Sequence, residues 1–432
     1  MARENPAGPE QSGGERAGRA GAAGSAEAGG QGSAHDRGSD GGLAFAARST
    51  CDPVLPALAA TTGSPVLSGN RVELLRNGER YFPRMLEAIA SAQESVDLLT
   101  YVWWTGAITD RFTEALVDAA GRGVRVRVLV DGYGGLEMDA EQSRALLGGG
   151  CDVAIFRPPS LLQPQRSNHR THRKVMVVDG ELAFTGGAGI AAEWDGDGDS
   201  PGSWRDDQFE VHGPLVAWLE GAFLDNWVTA TGRPLTDRHP VPRQLEAEGD
   251  TVVVPLFSSA GARPTVVERA FVTLFSRAEE RIDVVTPYFG PSPETLEALC
   301  RASEEGVRVR LLVPGEHTDS KMASWLCEAL QPRLLGAGIE VWEFQPTLNH
   351  CKTLLVDDQV AMIGSANLDC RSLHLNDELN LVVCGQELLA ALRDSVEQDF
   401  ARSRRIERSE VEGRSLLRDL RNRALLLLRS QL

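Results

Sequence analysis

One short pattern occurs twice in the chain, and its repetition constrains the fold more than any other feature of the sequence. The first copy reads NHRTHRKVMVVDGELAFTGGAGI, from Asn168 to Ile190, and the second LNHCKTLLVDDQVAMIGSANLD, from Leu348 to Asp369. Each holds a His, a Lys two positions on and an Asp five beyond that: His172, Lys174, Asp179 and His350, Lys352, Asp357. Each then reaches a corner of small residues, Gly186-Gly187 in one and Gly364-Ser365-Ala366-Asn367 in the other. The surroundings repeat as well: GVRVRVLVDG at 123–132 returns as GVRVRLLVPG at 306–315, and the strand pattern Ser95–Trp103 returns as Arg281–Phe289. A duplication on this scale implies two halves of one fold.

Within a half, strand and helix patterns alternate. RVELLRNGERYFPRMLEAIASAQ reads as a strand, an Asn77-Gly78 turn and a helix with Phe82, Met85, Leu86, Ile89 and Ala90 on one face. This alternation predicts an α/β layer, a mixed sheet flanked by helices in each half. The halves are expected at 66–245 and 246–405, joined through a Pro- and charge-rich stretch around Arg233–Asp250. Residues 1–65 comprise a Gly/Ala/Ser-rich disordered region and an arm broken by Pro53, Pro56 and Pro65. Residues 406–432 form a basic amphipathic tail, with Leu416, Leu417, Leu420, Ala424, Leu427 and Leu428 on one helical face and Arg414, Arg418, Arg421, Arg423 and Arg429 mostly on the other. Such a helix suits an anionic lipid surface, or docks its Leu face onto the protein.

Residues two apart in a strand face one side, so His172 projects with Lys174 and His350 with Lys352. Cys351, between them, is expected to point away into the core. Asp179-Gly180 and Asp357-Asp358 mark hairpin turns, where the Asp has a bonding rather than a reacting role. The small-residue corners place backbone N–H groups, with Ser365 and Asn367, near an anion. Two such sites facing each other place two ammoniums around one phosphoryl group and an imidazole on each side of it, for attack and for protonation of the leaving oxygen. No metal is called for, because the ammoniums supply the positive charge. Zinc is disfavoured because Lys is a poor ligand and the seven Cys are scattered. DGDGD at Asp195–Asp199 lacks the spaced Glu of a calcium loop.

The formal net charge of −17 disfavours a general nucleic-acid binder. An odd number of Cys without a CxxC pair reads as reduced thiols in an intracellular chain. No stretch approaches the roughly 20 apolar residues needed to span a bilayer, so membrane contact is expected to be peripheral, at the inner face of the cell membrane.

The duplicated HxKxxxxD, followed by GSxN or GGxN, resembles the phospholipase D superfamily. Within it the chain is most similar to the bacterial cardiolipin synthases, on NHRTHRK, WRDD and NLDCRSLHLNDELN. The resemblance covers about residues 66 to 410. It implies a duplicated phospholipase D-type α-β-α sandwich, two pseudo-twofold-related halves with the active site between them, and no cofactor. It also implies that His172 takes up the phosphatidyl group and His350 acts as acid and base, with Lys174, Lys352, Asp179 and Asp357 completing the catalytic motifs. Gly187, Ser365 and Asn367 would bind phosphate, and Asp206 and Glu378 would orient the imidazoles. The first copy departs from the pattern in having Gly189 where the family has Asn. The implied reaction joins two phosphatidylglycerols into cardiolipin with release of glycerol. The rivals are a hydrolase using water, a phosphodiesterase acting on nucleic acid, and a lipid-binding protein with a weakened first site.

Overall fold

The computed structural model describes residues 54–160, 168–233, 245–259 and 264–428. The expected disordered N-terminus up to residue 53, most of the join and the last four residues lie outside these. Arm residues Val54–Thr62 form a helix that buries Leu55 and Leu58 against the second half.

The duplication appears as one continuous sheet whose strands fall in the same order on either side of a central join. From the join outward the first half runs Leu67–Arg76, Asp207–His212, Leu182–Gly186, Val175–Val178, Ser95–Thr100, Arg125–Asp131 and Asp152–Phe156. The second half runs Thr251–Ser258, Asn376–Cys384, Val360–Gly364, Thr353–Val356, Arg281–Val285, Arg308–Pro314 and Glu340–Phe344, with Ser403–Arg405 added at the edge. The halves meet where Leu67–Arg76 pairs antiparallel with Thr251–Ser258. Ser95–Thr100, Arg125–Asp131 and Asp152–Phe156 are parallel, as are Arg281–Val285, Arg308–Pro314 and Glu340–Phe344, which requires the helical crossovers that the sequence pattern predicts.

Helices cover both faces, giving the duplicated α-β-α sandwich that the resemblance implies. Leu215–Thr231 and Gln386–Ala401 cover the shared face, burying Leu219, Phe223, Leu392 and Phe400 with Leu379 and Leu381 of the sheet. The other face carries a separate apolar cluster for each half. Even buried charge is duplicated. Arg127 grips Asp97 in a bidentate pair and stacks near Phe223, and Arg310 grips Asp283 and stacks on Phe400. An arginine fork in this geometry satisfies both carboxylate oxygens, without which the buried charge would be costly.

Two expectations need correcting. Cys151, Cys300, Cys327, Cys351 and Cys370 are free and buried, but Cys384 is disulfide-bonded, so the thiols are not all reduced. The C-terminal helix Leu416–Leu428 docks through basic as well as apolar side chains: Leu426 packs on the apolar cluster of the second half, while Arg414 just before the helix, Arg418 and Arg421 all reach Glu328 at 3.4, 2.9 and 2.6 Å. The buried Glu328 carboxylate draws the guanidiniums inward, and Leu420 and Leu427 point out, 67% and 85% exposed. The side chains of Leu416, Leu417, Arg423 and Leu428, and all of Arg429, lie outside the described residues.

Candidate active site

His172 and Lys174 immediately precede the strand Val175–Val178, and His350 and Lys352 precede Thr353–Val356. Strand alternation predicts them within those strands. Instead their backbone bonds go to the opposite half. The His172 N–H donates to Asp377 O at 2.8 Å, and the His350 N–H donates to Arg205 O at 2.7 Å. Arg170–Thr171 pairs in parallel with Asn376 and Asp377, and Arg205 bridges to Asn349. Each motif is thereby stitched to the segment of the other half that carries a carboxylate.

Those carboxylates orient the imidazoles crosswise. His172 Nδ1–H donates to both oxygens of Glu378 at 3.1 Å, and His350 Nδ1–H donates to Asp206 Oδ2 at 2.7 Å. A carboxylate can only accept here, so each Nδ1 holds the proton; His172 Nε2 is left for chemistry, and His350 Nε2 lies 3.1 Å from Lys352 Nζ.

The two carboxylates are themselves held differently. Ser365 Oγ donates to Glu378, whereas Trp194 Nε1–H donates to Asp206 at 2.9 Å. Gly187 stands where Ser365 stands in the second half, and a Cβ there would lie 2.4 Å from Asp206 Oδ1. No side chain fits, and the indole supplies the missing donor. Gly189 stands where Asn367 stands, and a Cβ there would meet Val102 Cβ at 2.6 Å and the Trp194 ring at 3.3 Å. The absent Asn of the first motif and the presence of Trp194 are therefore one packing solution.

A cavity of about 320 Å³ lies over this arrangement. His172, Lys174, His350 and Asn367 border it, so the side chains of both motifs meet in one space. Lys352 lies behind His350, its Nζ 2.8 and 3.1 Å from the two ring nitrogens. Lys174 Nζ donates to His172 O at 2.8 Å. Asn367 Oδ1 is buried without a hydrogen-bond partner among the described residues.

Other expected site residues lie elsewhere. Gly187 gives its N–H to Asp207 O at 3.2 Å and does not border the cavity, which removes it as an evident phosphate donor. Ser365 is committed to Glu378, in the layer behind the imidazole. Asp179 and Asp357 sit at the hairpin turns with φ of 54° and 53°. Asp179 accepts from the N–H groups of Gln93, Glu94 and Ser95, and Asp357 from those of Glu279, Glu280 and Arg281. Each Asp clamps its hairpin to the start of the neighbouring strand.

The electrostatics of the site follow from its burial. Burial pushes the His172 imidazole down to about 4, against the opposing pull of Glu378. Burial and the neighbouring Lys352 bring the Lys174 ammonium down to about 7. Burial likewise lowers Lys352 and His350. Burial alone would raise Asp206 and Glu378, but Lys352 and His350 around the one and His172 and Lys174 around the other hold both below the usual carboxylate range. Two ammoniums crowded in a dry site are a strained arrangement that an entering anion relieves.

The aromatic wall was not visible in the motifs. Tyr101, Trp104, Trp194 and Trp204 border the cavity from the first half. The Trp194 and Trp204 rings lie 5.2 and 5.8 Å from the His350 ring. Trp204 stood inside the quoted WRDD. Trp194, four residues beyond the first motif in AAEW, offered only the signal of a large aromatic beside a missing Asn.

Comparison with known proteins agrees with this geometry. The family described as cardiolipin synthase, PLD-like domain, matches residues 85–193 and 271–400, one segment in each half. The chain is 35% identical over 371 residues to cardiolipin synthase A of Pseudomonas aeruginosa (strain UCBPP-PA14), covering 84% of this chain and 73% of that protein. It is 30% identical over 362 residues to cardiolipin synthase 1 of Bacillus anthracis, covering 82% and 71%. Among solved structures, phosphatidylserine synthase of Haemophilus influenzae Rd KW20 superposes with a TM-score of 0.68 at 16% identity, over 88% of this chain and 100% of that one. At that identity the likeness bears on the fold alone.

Proposed function

The chain belongs to the phospholipase D-like, cardiolipin synthase domain family, and on that premise we propose that it transfers a phosphatidyl group from one phosphatidylglycerol to another, releasing glycerol. The observation that carries this reading is the crossed pairing of His172 with Glu378 and of His350 with Asp206 beneath one cavity.

In the first step His172 Nε2 attacks phosphorus. A P–N bond forms, the P–O bond to glycerol breaks, and the departing oxygen takes a proton from His350. A pKa of about 4 keeps His172 neutral and nucleophilic at pH 7, and Glu378 stabilises the positive charge that the ring gains. Lys174 and Asn367, which border the cavity, would offset charge on the phosphoryl oxygens, and Lys352 would act through the His350 ring it touches. His350 needs a proton at this stage, which Asp206 and the arriving phosphate favour against the effect of burial. In the second step His350 removes the proton from a hydroxyl of the acceptor lipid, whose oxygen displaces His172 from phosphorus. The aromatic wall of Tyr101, Trp104, Trp194 and Trp204 supports transfer over hydrolysis, since it limits water at the acid–base histidine.

The donor and acceptor are lipids, and no helix of the described residues is long and apolar enough to cross a membrane. The cavity must then be presented to a membrane surface from outside the bilayer.

Labelled phosphatidylglycerol in vesicles tests the reading. Cardiolipin with equimolar glycerol is expected. Phosphatidic acid alone would make the chain a hydrolase, and an unaltered lipid pool with wild-type protein would leave only lipid binding.

A further inference from the structure

Among the described residues, ten large apolar side chains are more than a third exposed, and their distribution is uneven. Tyr133 and Leu136, 61% and 62% exposed, follow the strand Arg125–Asp131. Met322 and Trp325, 46% and 37% exposed, follow Arg308–Pro314, the same strand in the duplicated half. Both pairs are three residues apart. Both also back onto the cavity wall. Gly134 O, between Tyr133 and Leu136, accepts from Trp104 Nε1 at 3.1 Å, and Trp104 borders the cavity. Met322, with Ala323 and Leu326 of its helix Lys321–Gly336, borders the cavity directly. Beside them, Arg421 of the C-terminal helix stacks on the Trp325 ring at 4.7 Å, and Leu420 and Leu427 face outward.

We infer that this ring of apolar side chains around the cavity mouth is the surface that lies on a lipid monolayer, with Tyr133 and Leu136 from one half and Met322 and Trp325 from the other entering its headgroup region. The inference rests on the phosphatidyl-transfer reading for its choice of occupant. A cavity that grips a lipid's phosphate must leave the acyl chains in the bilayer, so its rim meets hydrocarbon. Tyr, Trp, Met and Leu suit that boundary, where an apolar body enters and a polar tip stays wet. An exposed apolar patch contributed by both halves around one opening is unusual for a free surface. The contact is apolar rather than electrostatic. The chain's net charge of −17 opposes an anionic membrane.

The test uses the full chain and sedimentation with vesicles of phosphatidylglycerol and phosphatidylcholine, at low and at high salt. Wild-type protein is expected to pellet with the vesicles and to stay bound at about 0.5 M salt, where exposed charges are screened. A variant carrying Tyr133→Ser, Leu136→Ser and Trp325→Ser should bind at least about tenfold more weakly. It should still turn over a short-chain, monomeric phosphatidylglycerol within about twofold of wild type, because none of the three borders the cavity. A control with Trp218→Ser and Val228→Ser, exposed on the helix Leu215–Thr231 away from the mouth, should bind as wild type. In wild-type protein, lipids brominated along the acyl chain should quench tryptophan emission, and Trp325→Phe should remove most of that quenching. The inference is overturned if the threefold variant binds like wild type, if salt alone releases wild-type protein, if bromolipid quenching is unchanged in Trp325→Phe, or if the patch proves to hold two copies together with vesicle binding unaffected. Wild-type protein that binds through this ring but turns over no phosphatidylglycerol would refute the transfer reading and leave the docking surface standing.

Discussion

Replacing Lys174 by Met should stabilise the empty protein while abolishing most of its activity. The side chain is buried, and its ammonium falls from its ordinary 10.5 to about 7 because of burial and, next, Lys352. At 1.36 kcal/mol per pH unit, holding that charge in the folded chain costs at most about 5 kcal/mol. Met keeps the length of the stem, but the bond from Nζ to His172 O is lost, worth about 1–3 kcal/mol including the unpaired carbonyl. A net gain of at most about 2–4 kcal/mol remains, or roughly 2–5 °C in Tm for a chain of this size. The sign with pH follows from linkage. The folded pKa lies below the unfolded one, so the penalty is full below pH 7 and is lost as pH rises from about 7 toward 10.5. The variant's advantage should therefore shrink by about 1.4 kcal/mol per pH unit above neutrality. Turnover should fall by at least about a hundredfold, because the ammonium is wanted only once an anion is present. Scanning calorimetry from pH 6 to 9, beside turnover of phosphatidylglycerol, checks both. A variant less stable than wild type at pH 6, or one that keeps its activity, would refute the claim that the site is held charged and strained for an anion.

Four further outcomes follow from the same geometry. Trp194→Phe keeps the ring but removes the donor to Asp206, and should lower kcat about tenfold with KM little changed, the pH profile of kcat shifting because His350 is less firmly held. Asp179→Ala frees three backbone N–H groups and should lose about 2–4 kcal/mol of stability, visible as a lower Tm, while kcat of the folded fraction stays within a few fold of wild type. In the free enzyme, kcat/KM should rise through pH 4 as His172 becomes neutral and fall above about pH 7 as Lys174 loses its proton, and a pH-rate profile lacking the upper limb would count against Lys174 acting as a cation. Gly189→Asn, which restores the family residue, should lower stability and activity together, because its Cβ meets Val102 and Trp194; thermal melts with turnover would show it.

Much of this architecture is legible in the chain because duplication carries its own check. GVRVRVLVDG and GVRVRLLVPG occupy equivalent strands, and the buried pairs Arg127–Asp97 and Arg310–Asp283 repeat within them. The motif spacing likewise places His172, Lys174 and His350 at one cavity. What spacing does not carry is the partner across the join. Glu378 lies 206 residues from His172, and only the exchange of backbone bonds between halves decides that each imidazole takes the other half's carboxylate. For the same reason His172 and His350 precede their strands rather than lying in them. Periodicity marks the helix Leu416–Leu428 as amphipathic but is silent on how it docks; Glu328 draws Arg418 and Arg421 inward beside the packing of Leu426 on the core. The indole of Trp194 stands in for Ser365 through packing that no local pattern encodes.

The central claim is that His172 becomes covalently bonded to phosphorus while His350 moves the proton. Rapid acid-free quenching of wild-type protein with phosphatidylglycerol labelled at phosphorus, followed by digestion and mass spectrometry, addresses it directly. The account predicts an acid-labile phosphatidyl group on the peptide containing His172, formed and lost at rates compatible with turnover and absent from His172→Ala. Label on the peptide containing His350 instead, or full turnover by His172→Ala, would contradict it.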